Sequence, residues 1–355
     1  TQGNTKPDLP AVFGQAGKNG GNWMILRGTN ITLKNMTAIG SFPLAGQTRS
    51  LGAESAEPGY AEWMANFGIY GTDGAHLEDL TGKKPWGDTI TTGPDTYVDN
   101  FNKSHGGKIN YAQNVFVKRV HSEETSRMCF ALTSGNNMWL EDSSCKSGWY
   151  GGSDEELDQI TQPMIGLHIL RNTFDSFNLF GFNVPVPGPN IRDIEIRNNV
   201  FLTPPDKPCN ATIVIGGYPD VNSDKFKNVI VENNTMVAYG TAITFDHVEN
   251  GILRNNKITT ISGGGCASGP APAPLTKTTN SSPIIDENNG PDASGADNTQ
   301  PPSTVTQTQN SPTPTIAPTT TQSSCVAPTN FTGAPGPTGS DRYDFTWTAS
   351  PNATE

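Results

Sequence analysis

A short apolar–polar strand returns along this chain at related spacings, and that recurrence restricts the fold more than any other feature. Aligned on one apolar position, the strands place Leu33, Leu77, Val117, Leu140, Ile169, Ile196, Val231 and Leu253 in a single column. Successive separations are 44, 40, 23, 29, 27, 35 and 22 residues. The short values define a unit of about 22 residues, and the longer ones are that unit plus insertions. A repeat of this size is the signature of a solenoid, whose units bury their apolar sides only by stacking on one another. Leucine-rich repeats share the length but need a regular Leu framework that is missing here. The strands are short and β-branched, with at least two in each unit. The pattern therefore predicts an all-β fold, a right-handed parallel β-helix solenoid with coils about 4.8 Å apart.

Composition agrees. Gly 38 and Pro 28 stand beside only 16% charged residues, which disfavours helix interiors and suits short strands and many turns. After the aligned apolar position the later units read Arg171-Asn172, Asn198-Asn199, Asn233-Asn234 and Asn255-Asn256. Asn tolerates the left-handed backbone of a tight turn, and stacked Asn side chains can hydrogen-bond up the helix as a ladder. Insertions interrupt the coils at 41–66, 91–113, 156–165 and 202–211; long loops on a rigid solenoid are where binding residues tend to sit.

The repeat is expected to stop near Ile261, so residues 1–265 are read as the β-helix. Residues 266–324 hold ten prolines and no aromatic residue, a composition that cannot bury a core and is expected to form a disordered Thr/Pro-rich linker. Residues 325–355 change character again. Asn330-Phe331-Thr332-Gly333 and Tyr343-Asp344-Phe345-Thr346-Trp347 resemble the first two strands of a fibronectin type III domain, a truncated β-sandwich module.

The net charge of −11, with no Lys/Arg-rich run, makes nucleic acid an unsuitable partner. No stretch approaches the length of a membrane span. Thr1 is not a natural start, so a leader could have been removed. Of the five cysteines, Cys129 and Cys145 fall close enough in the repeat to pair, or to remain buried thiols.

Three lines of text can be laid under one another between residues 75 and 156. Each pairs a strand with a second segment: Trp86-Gly87-Asp88-Thr89-Ile90, Arg127-Met128-Cys129-Phe130, and Gly151-Gly152-Ser153-Asp154-Glu155-Glu156. Residues 23–262, on these segments, resemble the right-handed β-helix proteins of the pectate-lyase-like superfamily, above all secreted bacterial and phage-tail members. Those carry Trp-Gly-Asp-Gly-Ile, Arg-Gln-Gly-Ile and Gly-Ile-Asp-x-Glu-Pro in successive coils. Asp88, Arg127 and Glu155 are kept; the Gln is Met128 and the third-coil Asp is Ser153. The resemblance implies a secreted or cell-surface protein acting on a polysaccharide or cell-surface glycan, trimeric if phage-like.

Asp88, Arg127 and Glu155 lie eleven, ten and fifteen residues beyond the aligned positions Leu77, Val117 and Leu140. Two coil steps separate the carboxylates by about 10 Å, close to the spacing of an inverting glycosidase pair. Asp88 and Glu155 are thus the candidate acid and base, with Arg127 between them to bind a uronate or depress a carboxylate's pKa. Against this, Asp88 shares parity with the inward residue Ile90, so its other role is a turn residue bonded to backbone amides. The other role of Arg127 is an ion pair with a carboxylate such as Asp154, and that of Glu155 an ordinary charge in an acidic run. Trp86, Trp149 and Tyr150 open the second segments and suit a sugar-stacking groove, to which His121 and Asp154 would add polar contacts. No cofactor is expected; Asp73, Asp79, Asp88 and Asp142 could contribute to a Ca²⁺ site. Two functions follow: an extracellular enzyme, a glycoside hydrolase or polysaccharide lyase, and a non-catalytic glycan-binding adhesin or structural surface or tail protein.

Overall fold

The structure is a computed structural model. It describes residues 24–40, 65–95, 109–157, 162–175, 177, 179–203, 212–216, 224–238, 240–260 and 276–293, and the backbone of two strands near the C-terminus. Two compact units divide the chain between Thr299 and Gln300.

The first unit is a parallel β-helix. Each full coil contributes three strands, as in Met128–Leu132, Gly135–Glu141 and Ser144–Gly148. The first strands of the coils stack into a nine-stranded sheet. The second and third strands form two further faces, counted as one fifteen-stranded sheet. They are joined because the 11-residue strand Asp73–Lys83 turns the corner unbroken. Its first half pairs with Ala112–Lys118, and its second half with His121–Thr125.

The column expected from the repeat is a column of rung partners. Leu33 pairs with Leu77, and the register passes through Val117, Leu140, Ile169, Ile196, Val231 and Leu253 without a slip. From Leu77 onward all are fully buried. On the first face Phe67, Ile90, Phe130, Ser153, Phe182, Ile213 and Ile243 are in register and wholly buried. On the third, Cys145, Phe174, Phe201, Met236 and Ile258 fill the interior. Phe174 and Phe201 stack at 4.9 Å. Cys129 and Cys145 are joined by a disulfide inside this core.

The asparagine pairs divide two tasks. Arg171, Asn198, Asn233 and Asn255 take the left-handed conformation, with φ of 58°, 56°, 55° and 55°. The second member of each pair turns inward and builds the ladder. Asn172, Asn199, Asn234 and Asn256 each donate Nδ2–H to a carbonyl, those of Leu140, Ile169, Ile196 and Val231. Each of the last three also accepts the backbone N–H of the ladder residue one coil earlier. The backbone N–H groups of Asn172, Asn199 and Asn234, which lie beyond the ends of the strands at this buried corner, are thereby satisfied.

The expected end of the repeat is corrected. Thr276–Thr279 and Ile284–Glu287 pair in parallel with Ile243–Asp246 and Val248–Arg254. The ladder gains a fifth rung, Asn289, which accepts from Asn256 N at 3.0 Å and Nδ2 at 2.8 Å. A Pro- and Thr-rich segment can close the stack because a terminal coil needs main-chain partners and one ladder residue, not a full apolar interior. The rest of the expected linker and most of the expected insertions lie outside the described residues. In the second unit, Thr329–Pro335 and Tyr343–Thr348 form an antiparallel pair. Among the described residues no helix is long and apolar enough to cross a membrane.

Candidate functional site

Two regions answer to a site. The first is the stretch where sequence placed catalysis. Stacking of the first-face strands sets Ile90 beside Phe130, so Asp88 falls next to Met128. Asp88 is wholly buried. Its Oδ1 accepts from Met128 N at 3.0 Å; its Oδ2 accepts from Thr91 Oγ1 and Arg127 Nη1, both at 3.0 Å. Arg127, 6% exposed, reaches in the other direction to Asp154 at 3.6 Å and Glu156 at 3.9 Å. One coil further, Asn183 Nδ2 donates to Asp154 Oδ1 at 2.9 Å. Asp88, Arg127, Asp154 and Asn183 thus form a polar column across four coils, in which each buried charge has an opposite or hydrogen-bonding neighbour.

Glu155 is not part of that column. It is wholly buried and follows Ser153, which stands in the row of Phe130 and Phe182. Ser153 Oγ lies 2.5 Å from Glu155 Oε1, while Oε2 has no hydrogen-bond partner among the described residues. Burial pushes the Glu155 carboxyl up to about 8, against the Ser153 hydrogen bond. Burial pushes Asp154 up to about 7, with Arg127 opposing and Glu156 adding. The expected acid/base pair is therefore not assembled at a surface: Asp88 is a saturated turn residue and Glu155 a buried neutral acid.

The expected sugar-binding residues are dispersed. Trp86 is 3% exposed, and its carbonyl accepts from Ser126 Oγ, so it closes the interior corner. Trp149 and Tyr150 are half-buried, Tyr150 edge-on to Phe180 at 5.6 Å. His121 lies on the third face. The four aspartates considered for Ca²⁺ are engaged separately. Asp73 accepts from Asn114, Asp79 pairs with Arg119, Asp142 with Arg171, and Asp88 with Arg127.

The second region was missed, although its signal is plain once aligned. The residue preceding each aligned apolar position points outward. Those residues read Thr32, His76, Phe116, Trp139, His168 and Glu195, all rung partners. Their rings stack nearly parallel: His76 on Phe116 at 4.8 Å, Phe116 on Trp139 at 6.3 Å, and Trp139 on His168 at 3.8 Å. His168 Nδ1 ends the stack 2.7 Å from Glu195 Oε2. Two residues on, the same rungs carry Glu78, Lys118 and Glu141. Between these rows runs a groove of about 220 Å³ floored by Leu77 and Val117. Its charged wall is internally balanced, with Lys34 and Arg119 on Glu78, and Lys118 on Glu141 at 3.8 Å.

No family model matches this sequence, and no curated protein matches it. Among solved structures the chain is similar to the surface protein and adhesin PfbA of Streptococcus pneumoniae. The two are 12% identical, with 74% of this chain and 68% of that chain covered and a TM-score of 0.42.

Proposed function

We propose that this chain is an extracellular glycan-binding β-helix, and that a linear, hydroxyl-rich glycan lies along the aromatic groove of the second face. The observation that carries the reading is the spacing of Phe116 and Trp139. Their centroids are 6.3 Å apart, while successive strands are about 4.8 Å apart. The two rings are therefore offset laterally by roughly 4 Å, and part of each apolar face opens to the groove. Such faces suit the C–H sides of sugar rings. On the opposite wall Glu78 and Glu141 accept hydrogen bonds from hydroxyl groups, and their paired cations leave little net charge to favour a polyanion. A groove crossing the coils fits an extended polymer better than a compact ligand. The buried Cys129–Cys145 disulfide supports an oxidising compartment. On the same reading, the strand pair Thr329–Pro335 and Tyr343–Thr348 belongs to a fibronectin type III-like module.

Glycan binding without cleavage of the polysaccharide by Asp88 and Glu155 is the form of the proposal, since both are wholly buried. The test is calorimetric titration of the full chain with a panel of neutral and uronate-containing polysaccharides, alongside reducing-end and unsaturated-uronate assays. Trp139→Ala and Phe116→Ala are each expected to weaken binding about tenfold or more, the loss of one well-packed aromatic contact. Binding unchanged in both variants sinks the groove assignment. Turnover by the wild type that disappears in Glu155→Gln sinks the binding-only reading.

A further inference from the structure

The third face carries a constellation that the glycan groove does not use. His121 and Ser144 are rung partners on neighbouring coils, and Glu123 follows His121 two residues later on the same outer side. Ser144 Oγ lies 2.6 Å from His121 Nδ1, and Glu123 Oε1 lies 2.8 Å from His121 Nε2. The other Glu123 oxygen is held by Lys83 Nζ at 2.7 Å. Hydrogen bonds from Lys83 and from His121 hold the Glu123 carboxyl down to about 2, so it is ionised and can only accept. In the neutral ring the proton is then on Nε2, and Nδ1 presents its lone pair to the serine. The Ser144 hydroxyl donates into it. A hydroxyl bonded to a neutral imidazole, itself oriented by a carboxylate, is the arrangement that activates a serine nucleophile. The two imidazole nitrogens are used in the opposite order from the usual triad, but the division of roles is the same.

The surroundings favour a small substrate. The His121 side chain is 41% exposed and Ser144 is half-buried, so the pair sits on an open strand surface rather than in a deep acyl pocket. Lys146 stands two residues beyond Ser144, in register with Glu123. It is exposed and makes no ion pair among the described residues, which leaves a cation on the same side as the serine.

We propose that Ser144, His121 and Glu123 form a serine esterase site that removes short acyl groups from esters, with Lys146 facing the developing oxyanion. Ser144 Oγ attacks the ester carbonyl carbon while His121 Nδ1 takes the hydroxyl proton. The tetrahedral intermediate expels the alcohol oxygen, which leaves with that proton, and Ser144 is acylated. Water then attacks the acyl-serine, giving a proton to Nδ1. The Oγ–acyl bond breaks, the proton returns to Ser144, and the carboxylic acid departs. No further reactant is needed.

The site is independent of glycan binding and is tested separately. The full chain is incubated with p-nitrophenyl acetate, with nitrophenolate release followed by absorbance and the acylated peptide located by mass spectrometry. A fluorophosphonate probe is applied in parallel. Acetyl and phosphonyl groups are expected on Ser144 of the wild type, and neither should appear there in Ser144→Ala. His121→Gln should slow both reactions about 100-fold or more, the usual contribution of a positioned general base. Ser281, whose hydroxyl donates to the Thr279 carbonyl, serves as the internal comparison. Labelling of Ser144 no faster than Ser281 in the wild type overturns the proposal, and so does labelling that His121→Gln leaves unchanged.

Discussion

Asn199→Ala removes one rung from the middle of the asparagine ladder, and its cost can be counted. Asn199 is wholly buried. Its Oδ1 accepts from Asn172 N at 2.8 Å and Asn172 Nδ2 at 3.1 Å, and its Nδ2 donates to Ile169 O at 2.8 Å and Asn234 Oδ1 at 3.0 Å. After truncation Asn172 Nδ2 still bonds Leu140 O, and Asn234 Oδ1 still accepts from Asn199 N. What is left without a partner is the Asn172 N–H; Ile169 is a strand residue paired with Leu140 and Ile196, and its carbonyl loses only this added bond. A buried group deprived of its partner costs about 1–3 kcal/mol, and the truncation is expected to cost at least that. Asn233 is the matched control: it is half-exposed and holds φ at 55°. There Ala meets only the left-handed penalty of about 1–2 kcal/mol, and Gly is expected to be close to neutral. Urea titration of the full chain, followed by circular dichroism, reads these differences as shifts in midpoint. If Asn199→Ala falls within about 0.5 kcal/mol of wild type, or no lower than Asn233→Ala, the ladder is not what satisfies this corner, and the ≥1 kcal/mol per lost bond taken from general practice does not apply to it.

Two further outcomes follow from the polar column. Arg127→Met strips the guanidinium from Asp88 and Asp154 and should cost about 3–5 kcal/mol, the usual penalty for breaking a buried pair from one side. Thermal melts check this, and adding Asp88→Asn and Asp154→Asn should recover part of the loss; a melt unchanged by Arg127→Met contradicts the assigned pairing. Glu155→Gln should stabilise the fold in a pH-dependent way. The folded carboxyl titrates near 8, above its free value of 4.5. Between these values the folded chain keeps a proton that the unfolded chain gives up, so wild-type stability falls as pH rises through that window. Asp154, raised to about 7, acts with the same sign. The advantage of Gln should be small near pH 4, grow to on the order of a few kcal/mol by about pH 8, and stay level above. A difference between variant and wild type that does not change with pH would refute the neutral-acid assignment.

How far the site could be read from sequence depends on whether a corner lies between the landmark and the residue. Within one strand the reading is secure. The eight apolar positions are rung partners because inward side chains of a parallel helix must stack on like neighbours, and parity alone placed Asp88 on the side of Ile90. Across a corner the count fails. Glu155 was positioned fifteen residues beyond Leu140, and Arg127 ten beyond Val117, as though the intervening turns were equal. The register instead aligns Met128 with Gly151 and Phe130 with Ser153, so Glu155 continues the row of core residues and Asp154 becomes the partner of Arg127. The last coil was hidden for another reason. Its strands pair through main chain, which composition does not register, although Asn288-Asn289 repeats the pair motif. The outward columns were hidden by neither cause. His76, Phe116, Trp139 and His168 each precede an aligned position by one residue, and Ser144 follows His121 by 23, the same step that separates Val117 from Leu140. In a solenoid, residues separated by a coil step are neighbours whatever their types. Side-chain constellations are therefore better sought at equal offsets from the aligned core position within one strand than in contiguous motifs.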